Sequence, residues 1–162
     1  MPAATPATTL RRLVLLPVLA LALTLAAAVL GPAPEASAAS THRVLRASTV
    51  ALHQLGDPYR YGAAGPHAFD CSGLVQYSYR KAGIRLPRTS AAQARRAHRI
   101  SKGKLRRGDL MFFNNGGRVY HAAIFLGWRH GRAQMVHSPK PGQRVKRATP
   151  WTSRWFAATV RG

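Results

Sequence analysis

Phe69-Asp70-Cys71-Ser72-Gly73-Leu74-Val75 holds the single cysteine of the 162-residue chain, and its reading decides the rest. One cysteine in an exported protein makes no internal disulfide. What remains is intermolecular pairing, a passive buried thiol or a reactive nucleophile. Upstream, Gly62, Gly65 and Pro66 mark a loop, while Leu74, Val75, Tyr77, Ser78 and Ala82 read as an amphipathic helix that Gly83 ends. Cys71 then stands where a loop enters a helix, and there the unpaired N–H groups and the helix dipole favour an anion. The thiolate is the nucleophilic form of cysteine, and helix N-termini lower thiol pKa values. Given a base nearby, the position suits nucleophilic catalysis.

The expectation of export comes from the N-terminal residues. Arg11-Arg12 form a basic n-region, Leu13 to Leu30 an apolar run broken only by Pro17 and Thr24, and Ala36-Ser37-Ala38 a small-x-small cleavage site. Residues 1–38 are read as a signal peptide cut after Ala38, more in keeping with the general secretory route than the twin-arginine one. Residues 39–162 are the secreted domain. That segment keeps 23 basic and 3 acidic residues, a net charge of +20. Such a field draws a protein to polyanions, whether envelope phosphate polymers, anionic lipid or nucleic acid, and equally serves as a solubilising surface. With so few acids each one is conspicuous, and Asp57 and Asp70 bracket the cysteine loop.

In chain order, Ser40-Thr41 are placed to cap a helix to about Leu55, with Val44, Leu45, Val50, Leu52 and Leu55 as its apolar face. The cysteine helix runs to about Ala82. Ser90 and Gln93 have capping-box spacing and open a third helix from Ala91 to His98. Then the period changes to that of strands. Leu110 to Phe113 reads as a buried strand, Asn114-Asn115-Gly116-Gly117 as a hairpin turn, and Val119 to Trp128 as the longest strand. Ala133–His137, Val145–Ala148 and Phe156–Val160 complete a set of strands read as an antiparallel meander. Helices first and strands after indicate an α+β domain with helices on one side of the sheet. No nucleotide-binding glycine loop and no metal-ligand cysteine pair occurs, so no cofactor or metal is expected.

Seven histidines compete for the role of base. His42, His53 and His98 fall on polar helical faces, His130 in a turn, and His67 in the loop close to Cys71, where it is a candidate for substrate contact. His121 and His137 alone sit in apolar strands one hairpin apart. A strand histidine is by itself either a satisfied core group or a site residue. Two on one sheet face allow His121 to act as base to Cys71 while His137 fixes its tautomer and orientation.

Six segments taken together resemble the NlpC family of papain-like bacterial cell-wall cysteine peptidases. They are Pro58-Tyr59-Arg60-Tyr61-Gly62, Asp70-Cys71-Ser72-Gly73-Leu74-Val75, Leu86-Pro87-Arg88-Thr89-Ser90, Arg107-Gly108-Asp109-Leu110, His121 to Gly127, and His137-Ser138-Pro139. The resemblance runs from about residue 45 to the C-terminus. It implies a papain-like core with Cys71 as nucleophile, His121 as base and His137 as the third residue. It also implies that Tyr59, Asp70 and Ser72 shape the subsite, Asp70 and Ser72 meeting a free α-amine of a peptidoglycan stem peptide; the alternative reading of Asp70 is an N-terminal helix cap. The scissile bond would join the γ-carboxyl of D-glutamate to a diamino acid. A departure at Ala63-Ala64-Gly65-Pro66-His67 is placed to reshape substrate access. The competing readings are a papain-like amidase or acyltransferase with the same triad, and a non-catalytic cationic protein coating anionic cell-wall polymers. Nucleic acid is a poor partner for an exported chain without a recognition motif. A monomer is expected.

Overall fold

The computed structural model describes residues 34–161. Arg11-Arg12 and the apolar run Leu13 to Leu30 lie outside the described residues. Three helices come first: α1 (Pro34–Leu52), α2 (Cys71–Lys81) and α3 (Ser90–Arg96). Six strands follow: β1 (His98–Ile100), β2 (Leu110–Asn115), β3 (Arg118–Arg129), β4 (Arg132–His137), β5 (Lys146–Ala148) and β6 (Trp155–Thr159).

Helix α1 begins six residues before the expected cap, with Pro34 and Glu35 in the first turn, where both residue types are favoured. The cleavage point expected after Ala38 falls inside it, in an exposed stretch before the first core residue, Val44. The buried stripe is Val44, Ala47, Ser48 and Ala51, whereas Leu45 and Leu55, expected on the apolar face, are 40% and 41% exposed. Small residues line this face because the helix seats close against the turn before β2. A Cβ on Gly108 would lie 2.3 Å from the Val44 carbonyl oxygen.

Helix α3 also departs from expectation. Thr89, not Ser90, is its cap, accepting the Ala92 N–H at 3.3 Å. Gln93 does not reach back to the cap. It is buried and donates to the carbonyls of Ser72 and Pro87, both at 2.9 Å, which ties α3 to α2. The helix stops at Arg96, so His98 lies in an edge strand, opposite Thr159.

The sheet is antiparallel with strand order β1-β6-β2-β3-β4-β5. Strands β2 to β5 form the expected meander. The last strand does not extend it but returns to lie between β1 and β2. Leu110 to Phe113 are buried on both faces, and a strand of that kind needs a neighbour on each edge to pair its backbone. Alternation along β2 and β3 divides the core in two. Leu110, Phe112, Ala122 and Ile124 meet Val44, Ala47, Leu74, Val75 and Tyr79 of the helices. Met111, Phe113, Ala123, Phe125, Met135 and Trp155 pack with Leu105 on the opposite face. A helical layer on one face of an antiparallel sheet is the α+β arrangement expected from the sequence.

Candidate active site

Cys71 is the first residue of α2, and Asp70 is its cap, with the Asp70 Oδ1 accepting the Gly73 N–H at 2.7 Å. Opposite lies the start of β3. The pairing Ile124↔Val136 makes β4 run out at His137, and residues 119–122 of β3 have no β4 residue opposite them. The α2 N-terminus docks at that end of the strand: the Ala122 N–H lies close enough to the Cys71 thiol to favour its ionised form, placing the thiol beside the residue that follows His121. Burial pushes the thiol pKa up, against the N–H groups of Ala122 and Ser72, and the nearby Asp70 carboxylate adds to the rise. The lowered value expected from a helix N-terminus is therefore outweighed by desolvation.

The two strand histidines are together as expected. His121 Nε2 and His137 Nδ1 are 2.9 Å apart, and the rings are nearly perpendicular at 80°. They are 5% and 3% exposed. Burial pushes His121 down to about 3, helped by its neighbour His137, and His137 down to about 4, helped by Lys146. Both rings are neutral at rest. For Nδ1 of His121 to offer a lone pair, its proton must sit on Nε2 and be donated to His137 Nδ1. The His137 proton then occupies its Nε2, a buried atom without a partner among the described residues. Ser138, next along, anchors this corner by donating to the Phe69 carbonyl at 2.7 Å.

A cleft of about 1190 Å³ opens at Cys71, with Tyr59, Asp70 and Ser72 in its lining; His121 and His137 lie beneath its wall rather than in it. Asp70 is engaged on both oxygens. Oδ1 accepts from Ser72 Oγ, the Gly73 N–H and Arg88 Nη1, and Oδ2 from the Gly62 N–H and Arg88 Nη2. Burial raises its carboxyl, but the Arg88, Gly73 and Gly62 donors outweigh this and hold it below the usual carboxylate range. The helix-cap reading of Asp70 thus describes what the side chain does here. Burial also pushes the Tyr59 phenol up, as do Cys71 and Asp70 beside it.

His67 is exposed and is not part of the cleft wall. In the Ala63–His67 segment the Ala63 carbonyl accepts the Asp70 N–H at 2.9 Å, and Gly65 packs against Phe69 and Tyr77. Two site residues escaped sequence reasoning. Arg88 neutralises Asp70, and a near-buried carboxylate in so basic a chain was reason to look for such a partner. Trp151 stacks on Phe113 at 4.2 Å, meets the His121 ring edge-on at 5.2 Å and lies over His137 at 5.6 Å. A tryptophan after a proline in a loop carries no signal of that placement. Among the described residues no group of three or more potential ligands could hold a metal ion.

The model of the NlpC/P60 family matches residues 56–162. Probable endopeptidase p60 of Listeria monocytogenes is 42% identical over 92 residues, which cover 57% of this chain and 18% of that protein. Murein DD-endopeptidase MepH of Escherichia coli is 37% identical over 114 residues, 64% of this chain and 41% of the relative. The chain thus spans well under two thirds of the length of either. Among solved structures, the NlpC/p60 domain of the peptidoglycan hydrolase SagA superposes with TM-score 0.64 at 32% identity, covering 72% of this chain and 98% of that one. The peptidoglycan hydrolase RipB of Mycobacterium tuberculosis superposes with TM-score 0.67 at 26% identity, over 82% and 74% of the two chains.

Proposed function

Because the chain belongs to the NlpC/P60 family, we propose that it is a secreted cysteine endopeptidase that hydrolyses peptidoglycan stem peptides. The observation that carries this is the buried His121–His137 contact at 2.9 Å, in a strand whose next residue, Ala122, has its N–H near the Cys71 thiol. A protein that merely coats anionic polymer has no use for two neutral, desolvated imidazoles next to its single thiol.

Cys71 Sγ attacks the peptide carbonyl carbon while His121 Nδ1 takes the thiol proton. Charge moves onto the carbonyl oxygen, where N–H groups of the first turn of α2 meet it; one such donor is worth roughly 3–4 kcal/mol in the transition state. The C–N bond breaks as the proton passes from His121 to the departing amine, leaving a thioester on Cys71. Water, deprotonated by His121, then frees the acid and restores the thiol. Neither ionised group is favoured alone in this burial, so moving the proton and attacking together avoids an isolated buried charge. His137 holds the ring and its tautomer throughout.

In this reading the scissile bond joins the γ-carboxyl of D-glutamate to a diamino acid. The amine end of the stem rests against Tyr59, Ser72 and Asp70, which line the cleft around Cys71. Asp70, already satisfied by Arg88, meets the amine by sharing its oxygens rather than as a free charge. The net charge of +20 from Ala39 onward gives the enzyme its hold on anionic wall polymers. Digestion of purified stem peptides, read by mass spectrometry, tests the proposal. A cut after D-glutamate that Cys71→Ala abolishes, with folding unchanged, is expected. A Cys71-dependent cut at a D-alanyl cross-link would move the bond, and a cut retained by Cys71→Ala would end the mechanism.

A further inference from the structure

The two ends of the cleft differ in charge. At the α2 end Arg88 is neutralised by Asp70. At the sheet end the walls are the β2–β3 hairpin, with Asn115 and Arg118, and the β5–β6 loop, with Trp151, Thr152 and Arg154. Neither Arg118 nor Arg154 has an acidic partner: the ion pairs among the described residues are Arg88–Asp70 and Arg161–Asp109. The two walls are tied together. The Arg154 carbonyl accepts the Asn114 N–H at 3.1 Å, and Arg154 Nη1 donates to Asn115 Oδ1 at 3.3 Å. Arg118 and Arg154 therefore line one end of a cleft whose volume, about 1190 Å³, exceeds that of ordinary ligand pockets and admits several peptide residues.

Direction follows from the chemistry. The leaving amine takes its proton from His121, so the leaving fragment lies on the His121 side of the thiol. Trp151 stands edge-on to that ring at 5.2 Å with half its surface exposed, and Arg154 follows three residues later. We propose that the sheet end of the cleft is a carboxylate subsite, in which Arg118 and Arg154 hold the free C-terminal carboxylate of the leaving peptide while Trp151 carries its aliphatic part. Guanidinium groups suit a carboxylate through paired N–H donors, and a flat aromatic face suits a short alkyl chain. The inference rests on the peptidase reading above and specifies its substrate: stems that end in a free carboxylate are preferred to stems whose terminus is tied up in an amide.

The test compares one stem tetrapeptide as its C-terminal acid and its C-terminal amide. The wild-type protein should cut the acid with about tenfold higher kcat/KM, and the Arg118→Gln, Arg154→Gln double variant should cut both at one rate. Equal rates in the wild type, or a double variant that keeps the preference, would overturn the subsite. Calorimetric titration of Cys71→Ala with the leaving dipeptide (diamino acid joined to D-alanine), as acid and as amide, separates the two readings. About tenfold tighter binding of the acid supports the subsite even where the wild type cuts neither stem, and in that case it is the peptidase reading that fails. Equal binding of acid and amide overturns the subsite whatever the hydrolysis shows.

Discussion

Replacing Gly73 by alanine adds one methyl group at the point where α2 meets the loop before it. Its Cβ would lie 2.0 Å from the Ala63 carbonyl oxygen and 3.0 Å from the Ala63 carbon, with only backbone atoms in the way. Ordinary contact begins at 3.4 Å, so the loop must retreat by about 1.4 Å, and no side-chain rotation relieves it. The same carbonyl accepts the Asp70 N–H at 2.9 Å and Arg88 Nη2 at 3.4 Å, so the retreat breaks a backbone bond worth about 1 kcal/mol besides the overpacking itself. Overpacking of a tight contact costs about 1–3 kcal/mol, which makes a total loss of about 2–4 kcal/mol despite the better helix propensity of alanine. Urea unfolding at neutral pH measures it, with Gly103→Ala as the control, since nothing lies within 4 Å of a Cβ there. Because the moved loop also carries Tyr59 to Gly62, hydrolysis of stem peptides should fall more than tenfold. A Gly73→Ala protein as stable as the Gly103→Ala control would refute the close-packing argument.

The remaining expectations concern the buried polar groups. His137→Ala leaves His121 Nε2 unpaired in burial and should lower kcat about 100-fold with little change in KM, while His137→Asn, which keeps an acceptor, should recover about tenfold of that; steady-state kinetics on stem peptides distinguish the two. Both imidazoles have folded pKa values below their ordinary 6.5, so beneath that pH the unfolded chain binds protons that the fold does not. Stability is then full above about pH 6.5 and falls as the pH is lowered toward 4 and 3. Unfolding midpoints between pH 7.5 and pH 4.5 should show this slope, and a His121→Asn, His137→Asn protein should flatten it. Arg161→Ala strands the fully buried Asp109, whose only ion-pair partner among the described residues lies 2.6 Å away, and should cost about 3–5 kcal/mol by urea unfolding.

The legible parts of this molecule were those where one local pattern had one solution. Period-two alternation through β3 and β4 separated the two core faces and put His121 and His137 on the same one. The Asn115-Gly116-Gly117 turn marked the hairpin, although a bulge between Phe113 and Asn114 shifts the register beyond it. Less legible was anything decided by a partner distant in sequence. Ala47 and Ala51 are core because Gly108 lets α1 approach, and nothing near them says so, whereas Leu45 looks like core and is not. Gln93 has cap spacing, but two carbonyls 6 and 21 residues away compete for its amide, and they win. The thiol environment is hard to read for a similar reason: a helix terminus is a local feature, whereas the burial that outweighs it depends on distant residues. Arg88 and Trp151 reach the site from a connector and a loop, the segments whose placement a sequence pattern says least about.

The place of β6 has a consequence for how the chain folds. The hairpin from β2 to β3 can zip as soon as its residues are together, but β1 pairs only with β6, and β2 keeps one bare edge until β6 arrives. Closure joins Leu110 to Ala158 and His98 to Thr159, a long search for a chain of this size. Assembly therefore finishes in the middle of the sheet rather than at its rim. Until that strand inserts, Leu110 to Phe113 present a buried-type apolar edge to solvent, the kind of template on which unfinished chains pair with one another. A chain nicked in the loop before Trp155 would return to that state at once, losing an interior strand rather than a tail.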